Sequence, residues 1–178
     1  MMNAILVPFN SFMTPYISGT LHQSAQLLSF SNITLTIGLI LGAFLYPYIH
    51  RYISNRNLFL SGIGVASTLY FSTFFIQDSV NVILIYGVLG IFCFLFGFAI
   101  AQLNSITSVS FMNHVDKAYL ARFSAIFGAI ATAAMPLTSF ILSALCTTIT
   151  VVQMFVIAGV FTILLFIGMM FVKLLREL

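Results

Sequence analysis

Residues 80–103, VNVILIYGVLGIFCFLFGFAIAQL, decide the fold class, because this stretch contains no Asp, Glu, Lys or Arg. About 20 consecutive apolar residues are enough for an α-helix to cross the hydrocarbon core of a bilayer. Similar apolar runs lie on both sides of this stretch. The sequence therefore predicts an all-α membrane protein with six transmembrane helices, placed at residues 2–20, 25–49, 57–76, 80–103, 121–145 and 150–172.

The overall composition points to the same class. Hydrophobic residues make up 61% of the 178 residues and charged residues only 5%. A soluble domain carries about a quarter of charged residues, so this chain has too few of them to cover a water-exposed surface. The net charge of +3 does not indicate nucleic-acid binding, because the basic residues border the predicted spans and form no continuous stripe.

The basic residues are confined to alternate gaps between the apolar runs and to the C-terminus. They are Arg51, Arg56, Lys117, Arg122, Lys173 and Arg176. The other gaps, around His22, Asp78 and residues 147–150, contain no Lys or Arg. Because short loops rich in Lys and Arg stay in the cytoplasm, we expect a multi-pass protein of a bacterial plasma membrane with both termini cytoplasmic.

The six predicted spans form one domain covering residues 1–178. The connections are short except for residues 104–120, a more polar stretch that divides the chain into three spans and three spans. The first span is the least regular, because it contains Pro8 and Pro15. We still interpret it as a span, since it lacks the basic start and the cleavage site of a secretory signal peptide.

Polar side chains occur near the middle of the first two spans. They are Asn10, Ser11 and Thr14 in the first span, and Ser29, Asn32 and Thr36 in the second. These six residues are candidates for lining a substrate cavity. The alternative is that they form hydrogen bonds between helices, which contribute on average about 0.6 kcal/mol each. Pro8 and Pro15 favour the cavity, because broken helices at membrane depth usually border one.

Small residues at helical spacing predict faces on which helices approach closely. In the second span Gly38 and Gly42 lie four residues apart, on the face opposite the polar one. In the fifth span Ala125, Ala129 and Ala133 repeat the same spacing. We therefore expect both stripes to be helix-packing surfaces.

No acidic or basic residue lies at hydrocarbon depth in any predicted span, so a group that carries a coupling proton would have to come from elsewhere. His22, His50 and His114 belong to different connections, which argues against a metal site. Cys93 and Cys146 lie at different depths, which argues against a disulfide. The sequence also contains none of the common hydrolase, nucleotide-binding or metalloprotease motifs, so we expect neither enzyme activity nor a cofactor.

Three segments carry a resemblance to a known family. Residues 3–10, NAILVPFN, look like the start of a seventh transmembrane helix, and residues 42–56, GAFLYPYIHRYISNR, look like the basic turn after an eighth. Residues 116–123, DKAYLARF, are similar to an acidic residue and Gly-Arg pair that open an eleventh helix. On these residues the chain resembles the C-terminal half of a major facilitator superfamily transporter, in the branch of bacterial macrolide and drug exporters.

The resemblance implies a half of a transporter built from two inverted three-helix repeats. It would export a small molecule by alternating access and would need a second six-helix half, or a second copy of itself, to complete the cavity. Within the motif-like turns, Arg51, Arg56, Asp116 and Arg122 are the residues that match the family pattern. The alternative is a non-transporting integral membrane protein that binds a partner, such as an immunity or assembly factor.

Overall fold

The structure is a computed structural model that describes residues 2–76, 81–145 and 149–171. These residues form helices and their connections, with no strand in the described ranges. The helices are α1 (Met2–Pro15), a π-helical segment η1 (Tyr16–Thr20), α2 (Ala25–Ile49), α3 (Asn55–Phe75), α4 (Val82–His114), α5 (Leu120–Leu145) and α6 (Val151–Phe171). Asp78, Cys146, Lys173 and Arg176 lie outside the described residues.

Four of these helices contain a segment that is long and apolar enough to cross a membrane. These segments are Ala25–Ile49, Val82–His114, Leu120–Ile141 and Val151–Gly168. They are compatible with a multi-pass membrane protein. Within the described residues, α1 and α3 do not reach the same combination of length and hydropathy. For α1, the helix is only 14 residues long before the chain enters the π-helical segment.

The helix ends follow from local side-chain chemistry. Ser54 precedes α3 and its hydroxyl oxygen accepts a hydrogen bond from the Asn57 amide at 3.4 Å. Asn81 precedes α4 and its carboxamide oxygen accepts from the Ile83 amide at 3.1 Å. Such caps satisfy amide groups that have no partner inside the helix. Pro15 has no N–H to donate, and the helix widens to a π-helix directly after it.

The fourth helix is longer than the predicted fourth span. It continues from Asn104 to His114, where the sequence predicts a polar connector. With a rise of about 1.5 Å per residue, its 33 residues extend about 50 Å, whereas the hydrocarbon core is about 30 Å thick. The extension is held by aromatic contacts, because the Phe111 ring packs edge-on against Phe123 and Phe127 of α5, with centroid distances of 5.3 and 4.6 Å.

The principal helix contacts form an open series. Helix α2 packs on α4, α4 on α3, α3 on α6, α6 on α1, and α1 on α5. The π-helical segment adds contacts to α2 and α6. Helices α2 and α5 therefore lie at the two ends of the series, and each packs mainly on a single neighbouring helix.

An aromatic cluster fills the centre of the bundle. The Phe96 ring of α4 lies 5.1 Å from Phe9 of α1 and 6.0 Å from Tyr70 of α3, measured between centroids. The Phe155 ring of α6 lies 6.0 Å from Tyr70 and 5.4 Å from Tyr16. All five side chains are buried. Because these rings fill the centre of the bundle, the six candidate cavity residues do not line a cavity there.

Candidate functional site: outward polar faces of α1 and α2

The six candidate cavity residues lie on outward faces. Asn10, Ser11 and Thr14 are exposed on α1, next to the buried core residues Phe12 and Met13. Side chains of α1 therefore separate into a face that packs in the aromatic core and a face that points away from the chain. The Asn10 carboxamide makes no hydrogen bond to a residue that the structure describes.

The polar face of α2 has the same character. Ser29, Asn32 and Thr36 are exposed. The Thr36 hydroxyl donates to the Asn32 carbonyl at 2.8 Å, a bond within its own helix. The Asn32 carboxamide, like that of Asn10, has no partner among the described residues. The structure thus gives these polar groups no role in packing the chain's own helices.

The two polar faces belong to separate parts of the bundle. Helix α1 packs on α5 and α6, whereas α2 packs on α4. The two segments meet mainly where the π-helical segment η1 contacts α2, at the end of the bundle that holds the 21–24 connection. Each polar face is therefore a separate outward surface near this junction.

The glycines of α2 lie in a close contact with α4. A Cβ atom added at Gly42 would meet the Phe98 carbonyl oxygen at 2.7 Å and the Ala101 Cβ at 2.8 Å. One added at Gly38 would overlap the Phe94 carbonyl oxygen. Both glycines are buried, so the backbones of α2 and α4 touch along this face.

The alanines of α5 lie in a different environment. Ala125, Ala129 and Ala133 are all exposed, and none of the α5 side chains that the structure describes is buried. Large apolar side chains of the same helix are also exposed, including Ile126, Ile130 and Phe140. A helix apolar on its surface and unburied in its own chain must face lipid or another protein.

The residues of the motif-like turns lie at one end of the bundle, which we call the basic end. It contains the turn of residues 50–54 and the connection of residues 115–119. Arg51 and Arg122 are exposed, and Arg56 is half-buried in the first turn of α3. The buried Nε of Arg56 has no hydrogen-bond partner within the described part of the chain.

Asp116 and His50 make local contacts at this end. A carboxylate oxygen of Asp116 accepts from the Ala118 amide at 3.1 Å, so this residue orders the turn that precedes α5. The His50 ring stacks on Tyr46, with a centroid distance of 5.6 Å and an interplanar angle of 3°. Both contacts hold the turns in place, and neither forms a site for a ligand.

Three structural residues were missed by sequence reasoning. Gly97 is the α4 counterpart of Gly38, because a Cβ there would overlap the Leu35 carbonyl oxygen. The small residues Cys93, Gly97 and Ala101 recur every four positions, which is the signal that predicts such a face. Gln102 donates to the Gly42 carbonyl at 2.8 Å, and the Tyr16 hydroxyl contacts the carbonyls of Thr73 and Ile76, both at 2.9 Å.

The described residues contain no group of three or more His, Cys, Asp or Glu side chains that could hold a metal ion. Cys93 is a free, buried thiol in α4. Comparison with protein-family models, with characterised proteins and with solved structures finds no match to this chain. The functional assignment therefore rests on the sequence and on the geometry described above.

Proposed function

We propose that the chain is one six-helix half of a secondary transporter of the major facilitator type, which exports small molecules by alternating access. The observation that carries this proposal is the combination of a sealed aromatic core with polar carboxamides on outward faces. Asn10 and Asn32 are exposed, while Phe9 and Phe96 close the interior. A polar path would then lie between this chain and a second half, not inside it.

The helix contacts support an arrangement in two inverted repeats. Exchanging α1 with α4, α2 with α5 and α3 with α6 converts the contact of α2 with α4 into that of α5 with α1. The same exchange converts the contact of α3 with α4 into that of α6 with α1, and it leaves the contact of α3 with α6 unchanged. If all six helices cross the membrane, the two helices of each exchanged pair are three crossings apart in the chain. They therefore run in opposite directions, as inverted repeats require.

The free-energy cost of unsatisfied polar groups in lipid favours binding to a partner. In lipid, an unsatisfied polar group costs several kcal/mol, so the carboxamides of Asn10 and Asn32 would destabilise the isolated chain. A second half would supply hydrogen-bond partners or a water-filled cavity. It could be another protein with six spans or, in a homodimer, a second copy of this chain.

The proposed coupling mechanism also depends on the partner. No acidic or basic residue lies at hydrocarbon depth in the predicted spans, although proton-driven carriers normally hold a carboxylate there. In this proposal the second half supplies that group, whereas the chain supplies the polar wall of Asn10, Ser11, Thr14, Ser29, Asn32 and Thr36. Both termini and the basic end face the cytoplasm of a bacterial cell, as the positive-inside rule requires.

A transport assay tests the proposal. The purified chain, reconstituted in vesicles with a proton gradient, should take up no cationic dye above the level of empty vesicles. Co-reconstitution with a candidate half, such as a six-span protein encoded beside this chain, should produce uptake that Asn32→Leu abolishes. Asn113→Leu is the matched control, because Asn113 is exposed beyond the predicted fourth span. Uptake by the chain alone that Asn32→Leu abolishes would refute the requirement for a second half.

A second candidate function is favoured by one observation, the exposure of α5. A helix with no buried side chain among those described is equally suited to bind another membrane protein that does not transport anything. In that case the chain would be an immunity or assembly factor. Binding of a partner through α5, with no uptake in any combination and no effect of Asn32→Leu on binding, would support this function instead.

A further inference from the structure

A cavity of about 570 Å³ lies between α3, α4 and α6, apart from the polar faces of α1 and α2. Its walls come from the second half of α3, the first third of α4 and one residue of α6, and the cavity opens to the outside of the bundle. Cavities that bind small molecules have volumes of about 300–1,000 Å³. The space is therefore large enough for a ligand, and it does not belong to the proposed transport path.

The chemistry of the walls disfavours a polar occupant. Three hydroxyl residues line the cavity, but each of them donates to a carbonyl of its own helix. Ser67 donates to Ile63 at 3.0 Å, Thr68 to Val65 at 2.8 Å, and Ser72 to Leu69 at 2.7 Å. The other lining residues are apolar, among them Phe71, Val88 and Phe92. These hydroxyls therefore have no proton left to donate to a ligand, and the rest of the described walls offers hydrophobic contact.

The dimensions match one lipid chain in one leaflet. The lining runs along α3 from Ser67 to Ile76 and along α4 from Leu84 to Phe92. At about 1.5 Å per residue these segments are about 12–14 Å long, close to the half-thickness of about 15 Å of the hydrocarbon core. The lining extends to the end of the bundle where α3 ends at Phe75 and α4 begins at Val82, where a headgroup could remain outside.

We propose that an acyl chain of a membrane phospholipid occupies this cavity as a bound, slowly exchanging lipid. Water does not fill apolar cavities, whereas hydrocarbon does so readily. This inference rests on the proposed topology, in which α3, α4 and α6 cross the membrane and acyl chains surround them at this depth. None of the described lining residues is charged, so in this proposal the site recognises the hydrocarbon and does not select the headgroup.

Photolabelling tests this proposal with the complete chain. The chain is reconstituted in vesicles of phosphatidylcholine that contain a trace of phosphatidylcholine with a diazirine in the middle of one acyl chain. Adducts should concentrate on the cavity residues Phe71, Val88 and Phe92, above the level on exposed apolar residues of the same helices. Each buried methylene contributes about a factor of four to affinity. A side chain that excludes two methylenes should therefore lower the labelling roughly tenfold or more.

Val88→Phe narrows the cavity from α4, and Ile163→Phe narrows it from α6 if the first variant does not fold. The matched control is Ile91→Phe on the outer surface of α4, because Ile91 is 61% exposed and does not line the cavity. We expect both cavity variants, but not the control, to lose labelling. Equal labelling of Ile91 and Val88 in the unmodified chain would overturn the proposal.

Discussion

Helices α2 and α5 carry similar stripes of small residues, but the structure uses them differently. Gly38 and Gly42 lie buried against α4, where the backbones of the two helices touch. Ala125, Ala129 and Ala133 lie exposed on α5. The comparison shows that a small-residue stripe indicates where a helix can be approached closely, but not which helix approaches it.

The difference has a physical cause in the opposing helix. Helix α4 presents Gly97 to the backbone of Leu35, so the approach is reciprocal and each helix provides space for the other. Gln102 adds a hydrogen bond to the Gly42 carbonyl. Helix α5 packs mainly on α1, and its alanines do not take part in a buried contact there. We expect the proposed second half to cover this stripe in addition to the polar faces of α1 and α2.

The largest effect should come from closing the glycine contact. Gly97→Ala places a methyl group against the Leu35 carbonyl oxygen, and backbone atoms cannot move aside as a flexible side chain would. We expect a loss of about 3 kcal/mol in the free energy of unfolding, at the upper end of the effects of overpacking. Denaturation by sodium dodecyl sulfate in mixed micelles measures it.

Gly87→Ala is the matched control on the same helix, because nothing lies within 4 Å of a Cβ atom at that position. Alanine is the better helix former, so this variant should gain about 0.5–1 kcal/mol. A similar response of the two glycines would break the comparison, since it would mean that α2 and α4 do not touch at Gly97.

The next effect concerns the hydrogen-bonded contact between η1 and the end of α3, which involves no glycine. Tyr16→Phe removes the hydroxyl that lies 2.9 Å from the carbonyls of both Thr73 and Ile76 at the end of α3. A buried group left without its partner costs about 1–3 kcal/mol, and we expect a loss in that range by the same denaturation measurement. Tyr119→Phe is the control, because Tyr119 is exposed at the basic end, and it should change little. Equal losses in both variants would show that the Tyr16 hydroxyl contributes nothing specific.

A smaller effect is expected at Gln102. Its amide donates to the Gly42 carbonyl, but its buried Oε1 has no partner among the described residues. Gln102→Leu removes one hydrogen bond, worth about 1 kcal/mol, together with an oxygen that is costly to bury. The two terms oppose each other, so the free energy of unfolding should change by less than about 1 kcal/mol. A loss of several kcal/mol would mean that the hydrogen bond, and not the glycine contact, holds α2 against α4.

The smallest effect on the isolated chain is expected on α5. Ala129 is exposed, so Ala129→Leu should change the free energy of unfolding by no more than about 0.5 kcal/mol. The same variant should lower dye uptake in the reconstituted pair of halves, because the larger side chain occupies the surface that the partner needs. Unfolding and uptake measured on the same preparation separate the two effects. Strong destabilisation of the chain alone would show that Ala129 already packs within it.

The helix positions could be predicted from the sequence because each depends on a local apolar run. The second predicted span, residues 25–49, coincides with α2, for example. The extension of α4 to His114 could not be predicted, since its polar residues resemble a connector. Tertiary packing explains it: Phe111 contacts α5, and Ile106 and Val109 belong to a hydrophobic cluster with Tyr46 and Leu58. The π-helical segment after Pro15 is likewise set by Tyr16, which reaches carbonyls 57 and 60 residues away.

For the candidate site, the sequence predicts which residues share a helix face but not what surrounds them. Helical spacing places Ser29, Asn32 and Thr36 on one face of α2, and no other residue is needed for that inference. Which helix α2 packs on depends on contacts with residues about 60 positions later, such as Gly42 with Gln102. Local patterns do not contain that information, so the sequence does not predict that these polar residues face outward.

The central claim is that α5 binds another protein, whereas α2 already packs against α4 within the chain. Photoreactive side chains at Ala129 and, separately, at Phe30 test it most directly in membranes of cells that produce the chain. The Phe30 ring lies against Gly90 and Tyr86 of α4, so a photoreactive phenylalanine of similar size fits the α2–α4 contact. We expect Phe30 to crosslink to α4 of the same chain, and Ala129 to crosslink to a second polypeptide with several membrane spans. Crosslinks from Ala129 that remain within the chain or reach lipid alone would contradict the account.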